Sequence, residues 1–232
     1  MSAATPDFWV VLPAAGVGAR MQADRPKQYL LWGERTLIEH TLACFLDQPW
    51  LRGLVVSLSA DDGWWPTLPC AQDARITRAV GGRERADSVL NGLIALRELG
   101  ATDDDWVLVH DAARPNLADS DLHKLLSTLA DDPVGGLLAV PVRDTLKQIG
   151  PDGRVSSTPD RSLFWQAYTP QMFRLGPLQQ ALAEALAAGA RITDEASAME
   201  WVGQAPLLVE GRADNLKITR PEDLEWLRQR ER

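Results

Sequence analysis

Apolar residues along the chain gather into short runs separated by stretches with a helical period. The runs "FWVVL" (8–12), "LVVSL" (54–58), "WVLVH" (106–110), "GLLAVPV" (136–142) and "PLLVE" (206–210) have strand length and are mostly β-branched or large apolar residues. Between them, Ala86, Val89, Leu90 and Leu93 stand at i, i+3, i+4 and i+7, which places one apolar face on a helix over 85–99. Segments 36–46, 120–130, 177–189, 194–202 and 219–230 read similarly, the last with Thr219 as a candidate N-cap and Pro221 just inside it. Apolar strands alternating with helices predict an α/β fold, a mainly parallel Rossmann-like sheet with helices on both faces.

Residues 143–171 break the alternation. Pro151-Asp152-Gly153 marks a tight turn between two short polar–apolar segments, a hairpin signal. A hairpin of this kind buries little of itself, so it needs another surface, and a second copy of the chain is the economical candidate. The expected organisation is therefore a single domain over 1–232 with a protruding β-arm at about 143–165, acting as a homodimer.

With 232 residues, 45% of them hydrophobic, the chain has enough apolar material for a substantial core. It contains no uninterrupted apolar stretch of about 18 residues, and its N-terminus has no basic start, so a cytoplasmic location is expected. Cys44 and Cys70 have no nearby Cys or His to form a metal site and read as packing residues. The net charge of −8 argues against nucleic acid or an anionic membrane as a partner, since both are bound by broad cationic surfaces. A small anion needs only a few local cations, and these stand in loop-like contexts: Arg20, Arg25 and Lys27, then Arg83, Arg85, Arg114, Arg161 and Lys217.

Ligands of parallel sheets bind beyond the carboxyl ends of the strands, so the residues after each run are informative together. The stretch "PAAGVGARM" (13–21) has glycine at 16 and 18 but Met21 where a dinucleotide loop has its third glycine, and no Gly-Lys-Ser or Gly-Lys-Thr occurs in the chain. Its small residues suit close backbone approach to a phosphate, with Arg20 and Lys27 as neutralising charges, or else an ordinary strand-to-helix turn. Asp111, at the end of an apolar strand, suits Mg²⁺ or a substrate hydroxyl, although the motif standing alone favours a turn or N-cap aspartate. "GGRERADSV" (81–89) is a loop-to-helix entry or a nucleotide contact, and Lys217 lies in a short strand-like segment. His110 is expected to stabilise its strand end. No nucleophile elbow or cysteine–histidine motif is present. Cations and glycines without a general base suit a nucleophile that arrives ionised, as a phosphate monoester does with its second pKa near about 6.

The ordered segments "PAAGVGARM", "PKQYL", "GGRERADSV", "VHDAARP", "PVRDT", "TPQ" and "GRADNLKITRPEDL", from 13 to 224, resemble the 2-C-methyl-D-erythritol 4-phosphate cytidylyltransferase family of non-mevalonate isoprenoid synthesis. The resemblance implies transfer of a cytidylyl group from CTP to methylerythritol phosphate, with pyrophosphate released and Mg²⁺ as cofactor. It implies that Arg20 and Lys27 stabilise charge at the α-phosphate, with Arg161 and Lys217 beside the reacting groups. Pro13, Ala14, Ala15, Gly16, Gly18, Gly81, Gly82 and Ser88 would contact the nucleotide. Asp111, Ala112, Arg114, Thr145, Arg161, Thr169 and Lys217 would hold the acceptor, some of them reaching from a partner subunit through the arm. The metal would be held largely by the triphosphate and water, and the fused cyclodiphosphate synthase domain of some members is not expected.

Two other readings remain open from the residues. A CTP-dependent pyrophosphorylase for another polyol phosphate, such as ribitol 5-phosphate, would share the nucleotide loop and differ around Asp111, Thr145 and Arg161. A regulatory module would bind CTP without releasing pyrophosphate. A dehydrogenase fits less well, because no acidic residue closes a clear second strand to hold an adenosine ribose.

Overall fold

The computed structural model describes residues 5–16, 21 and 24–229. Its strands are β1 (Phe8–Pro13), β2 (Leu31–Trp32), β3 (Arg35–Thr36), β4 (Leu51–Leu58), β5 (Ile76–Val80), β6 (Trp106–Val109), β7 (Gly135–Pro141), β8 (Gln148–Ile149), β9 (Val155–Ser157), β10 (Trp165–Arg174) and β11 (Leu207–Glu210). Its helices are α1 (Leu37–Leu46), α2 (Arg85–Glu98), α3 (Asp119–Leu129), α4 (Leu175–Ala187), α5 (Glu195–Trp201) and α6 (Pro221–Arg228). Seven strands form one sheet in the order β11-β7-β10-β6-β1-β4-β5. β10 runs antiparallel to β6 and β7, and the other pairings in this sheet are parallel.

Alternate residues of one strand feed different layers. Val10 and Leu12 of β1 pack with Ile38, Leu42 and Phe45 of α1 and the leucines of α3, whereas Val11 packs with Val89 and Leu93 of α2 and with α4 and α5. Two apolar layers therefore sandwich the sheet, as expected for strands buried on both faces. Cys44 and Cys70 pack against the first layer, and burial pushes both thiols up to about 11. Among the described residues no helix is long and apolar enough to cross a membrane.

The five apolar runs all become strands of the central sheet, and the six helical segments all become helices. Three details differ. The excursion expected over 143–171 ends sooner, because residues from Trp165 onward return into the sheet as β10. Pro170 conceals that strand in the sequence; it sits where the β10–β7 register shifts, between Ala167 and Gln171, so its missing N–H breaks no regular ladder. α6 is capped at Arg220 rather than Thr219, since the Thr219 and Arg220 N–H groups both donate to Asp223 Oδ2, at 2.8 and 2.9 Å. Lys217 lies outside any strand: its segment is held by side chains of the 111–116 loop, Arg114 Nη1 to the Asn215 carbonyl (2.7 Å) and Asn116 Nδ2 to that of Asp214 (2.9 Å).

The hairpin forms where its turn predicts. β8 and β9 pair antiparallel across residues 150–154, with Gly153 at φ 76°, a conformation that costs glycine little. Ile149, Val155, Leu163 and Phe164 are exposed around it.

Candidate active site

Strand order decides where a ligand fits. α1 follows β1 on one face while α2 precedes β6 on the other, so the chain reverses its winding between β1 and β6 and leaves a crevice beyond their carboxyl ends. A cavity of about 310 Å³ lies there, lined by Pro13–Gly16, Lys27, Gln28, residues 82–85, Ser88, Asp111–Ala113 and Lys217.

Lys27 is presented by a 3-10 turn, Lys27–Tyr29, whose next two side chains are buried anchors. Gln28 Nε2 donates to the Ala14 carbonyl at 2.7 Å, and the Tyr29 hydroxyl donates to Asp62 Oδ2 at 2.7 Å. Pro26, at φ −58°, leads into the turn, and Lys27 Nζ donates to the Ile218 carbonyl at 3.2 Å. Across the cavity, a Cβ on Gly81 would stand 2.4 Å from that of Ala15, and one on Gly82 would stand 2.1 Å from that of Asp87. Only glycine lets this segment lie against the β1 loop and turn into α2. Ser88 Oγ accepts from the Gly82 N–H at 3.0 Å and donates to the Glu84 carbonyl at 3.1 Å, so it first serves to fix that turn.

Asp111 is the electrostatic centre. Its Oδ1 takes Arg85 Nε at 3.1 Å, and its Oδ2 takes Lys217 Nζ at 2.9 Å and Arg114 Nε at 3.2 Å. Burial alone would raise its pKa, but Arg85, Lys217 and Arg114 together hold it well below the usual carboxylate range. Behind it, the Asp111 N–H donates to Thr169 Oγ1 (3.1 Å), which stands 3.0 Å from His110 Nδ1, and His110 Nε2 stands 3.0 Å from the Arg114 carbonyl. That carbonyl can only accept, so Nε2 carries the proton and Nδ1 accepts from the threonine hydroxyl. Burial pushes the His110 pKa down to about 4, so the ring is neutral and structural.

Of the residues singled out in the sequence, Pro13, Ala14, Ala15, Gly16, Lys27, Gly82, Ser88, Asp111, Ala112 and Lys217 converge on the cavity. Gly81 packs beside it on Ala15, and Arg114 and Thr169 lie buried behind Asp111. Thr145 and Arg161 stand exposed on the arm excursion, outside the cavity of their own chain, with the Arg161 guanidinium on the Arg143 carbonyl. Gly18 and Arg20 lie outside the described residues. Gln28 and Glu195 carry no signal of their own in the sequence: Gln28 is an ordinary polar residue within "PKQYL", and Glu195 in "DEAS" looks like helix-start chemistry. Arg85 reads in the sequence only as one of several loop cations.

Residues 8–228 match the family described as 2-C-methyl-D-erythritol 4-phosphate cytidylyltransferase. The chain belongs to this family. Cytidylyltransferases of that description from Pseudomonas fluorescens (strain SBW25) and Pseudomonas entomophila (strain L48) are 71% and 70% identical over 230 residues, covering 99% of this chain and 98% of each relative. The crystal structure of a 4-diphosphocytidyl-2C-methyl-D-erythritol synthase matches with a TM-score of 0.83 at 39% identity, covering 97% of this chain and 98% of that one. The Francisella tularensis cytidylyltransferase matches with a TM-score of 0.82 at 35% identity, covering 95% and 97%. For a cytidylyltransferase the cavity has suitable parts: a glycine-rich wall that admits a ligand closely, and two lysines brought to one place from positions 27 and 217.

Proposed function

We propose that this chain is a single nucleotidyltransferase domain that transfers the cytidylyl group of CTP to 2-C-methyl-D-erythritol 4-phosphate in the cytoplasm, releasing pyrophosphate. The observation that carries the reading is the convergence of Pro13–Gly16, Lys27, Gly82, Asp111 and Lys217 on one cavity in a chain of this family. The acceptor phosphate is mostly dianionic at neutral pH, so it attacks the α-phosphorus without a general base. The new bond joins an acceptor phosphate oxygen to that phosphorus, and the bond to the pyrophosphate oxygen breaks. Negative charge builds on the α-phosphate and the leaving group, where Lys27, with Arg20, stabilises it more than in the ground state. Lys217, seated on Asp111, orients the acceptor, and Asp111 accepts from one of its hydroxyls.

A triphosphate substrate implies Mg²⁺. The described residues offer it no protein cage: no group of three His, Cys, Asp or Glu side chains is placed to hold a metal, and both Asp111 oxygens already face cations. In this reading Mg²⁺ is bound by phosphate oxygens and water, and Asp111, with cations on both oxygens, faces the acceptor instead. Thr145 and Arg161 complete the acceptor site of the other subunit in a homodimer, which accounts for their position on the arm.

The test is pyrophosphate release with CTP or UTP against methylerythritol phosphate or ribitol 5-phosphate. Turnover confined to CTP with methylerythritol phosphate is expected, because cytosine and uracil exchange a donor for an acceptor and a fixed edge leaves groups unpaired with the wrong base. Preference for ribitol phosphate would favour the other polyol pyrophosphorylase, and CTP binding without pyrophosphate would favour a regulatory module.

A further inference from the structure

Glu195 lies behind the cavity rather than in its wall. It is wholly buried, and both oxygens face one guanidinium, Arg85 Nη1 to Oε1 at 2.7 Å and Nη2 to Oε2 at 3.1 Å. The Nε of the same guanidinium donates to Asp111 Oδ1 at 3.1 Å. Arg85 thus spends its fork on Glu195 and its remaining edge on Asp111, a division that the rigid planar group allows and an ammonium does not.

Stability does not explain this pair. Desolvating two charges offsets most of their attraction, and apolar residues of similar volume often serve the fold as well. Placement does explain it. Glu195 is the first residue of α5, and Gln171 of β10 pins that helix start: its Oε1 accepts from the Ala196 N–H at 2.7 Å and its Nε2 donates to Asp194 Oδ2 at 2.9 Å. A rigid strand therefore fixes Glu195, Glu195 fixes the Arg85 fork, and Arg85 fixes Asp111 Oδ1. That oxygen has one cation on it where Oδ2 has two, so it keeps the capacity to accept a further hydrogen bond.

Building on the cytidylyltransferase reading, we propose that Glu195 is a positioning residue for the acceptor substrate: through Arg85 it holds Asp111 Oδ1 where a polyol hydroxyl can donate to it. In that reading CTP phosphates are met by Lys27, Arg20 and the glycine-rich wall, so the effect belongs to the acceptor. Glu195→Gln keeps the shape and removes the charge that locks the fork. It should lower kcat/KM for methylerythritol phosphate about ten- to a hundredfold, mainly by raising that KM, as small misplacements of a binding group do. CTP affinity by direct titration should stay within about twofold. Because Glu195 acts through Arg85, adding Glu195→Gln to Arg85→Gln should change the acceptor KM no further. If the single Glu195 variant fails to fold, the Arg85→Gln/Glu195→Gln pair, which leaves neither charge buried alone, carries the same comparison of acceptor KM with CTP affinity. A purely structural role would reduce kcat with the folded fraction and leave both constants alone. That result, or equal changes in both constants, or additive effects of the two substitutions, overturns the proposal. Wild-type turnover is measured alongside: its absence defeats the cytidylyltransferase reading and this inference together, whereas normal wild-type turnover with any overturning result defeats this inference alone.

Discussion

His110 stands next to the aspartate at the centre of the site yet does no acid–base work, because its ring is wholly buried and both nitrogens have partners. This has a consequence for stability. Unfolded, the ring titrates near its ordinary 6.5; folded, burial pushes it down to about 4. Between those values the unfolded chain takes up a proton that the folded chain refuses. The stability tied to neutral His110 is complete above about pH 6.5 and lost as pH falls through about 4, reaching about 3 kcal/mol over the full window. Asp111, whose folded pKa is also lowered, loses its contribution in the same direction but at lower pH, below its ordinary 3.8. Urea midpoints measured between about pH 7 and pH 4.5 should fall with acid in the wild type and fall less in His110→Gln. Parallel slopes for the two proteins would remove His110 as the cause.

The arm is the element least able to account for itself. A two-stranded hairpin is marginal alone, and the arm around this one leaves Ile149, Val155, Leu163 and Phe164 exposed, apolar surface that a monomer has no reason to show to water. In the homodimer proposed above, this surface is covered by the other subunit. Phe164→Asp should therefore shift the protein from dimer to monomer in sedimentation velocity, with its circular dichroism unchanged, because the residue supports nothing in its own core. An unchanged dimer would place the interface elsewhere, and a monomeric wild type would remove the dimer altogether.

At the scale of the whole molecule, the separation of Lys27 in the cavity from Arg161 on the arm makes a shared site testable. Lys27→Ala should lower kcat about 10²–10³-fold, as loss of one preplaced stabilising group does. Arg161→Ala should be nearly inactive for want of acceptor contacts. If each site takes Lys27 from one subunit and Arg161 from the other, a mixed dimer concentrates both lesions in one site and leaves the second intact. Random exchange makes half the dimers mixed, so about a quarter of wild-type activity should return. No recovery despite confirmed exchange would mean that the two residues act within one chain.

Local pattern was enough for much of this protein. Strands β1, β4, β6 and β7 and the helices are legible because a buried strand must be apolar along its length and a half-buried helix must repeat its apolar residues by turns, whereas β11, an edge strand buried only at Val209, is legible as a short apolar run between Pro206 and Gly211. The arm is legible because Pro151-Asp152-Gly153 has turn chemistry; the cavity wall is legible only as a set, since each glycine loop or strand-end aspartate by itself reads as well as an ordinary turn. Other features depend on which distant segments meet. β10 enters the middle of the sheet although it contains Pro170, since its own register shift against β7, between Ala167 and Gln171, accommodates the proline. Thr169, expected at the acceptor, has its hydroxyl between Asp111 and His110, 58 and 59 residues away. Arg85 and Glu195 are 110 residues apart and become partners only when α2 and α5 pack on the same face of the sheet. Periodicity reports which face of an element is buried; the charge that a buried side chain meets there is decided by the packing of elements, which no local spacing records.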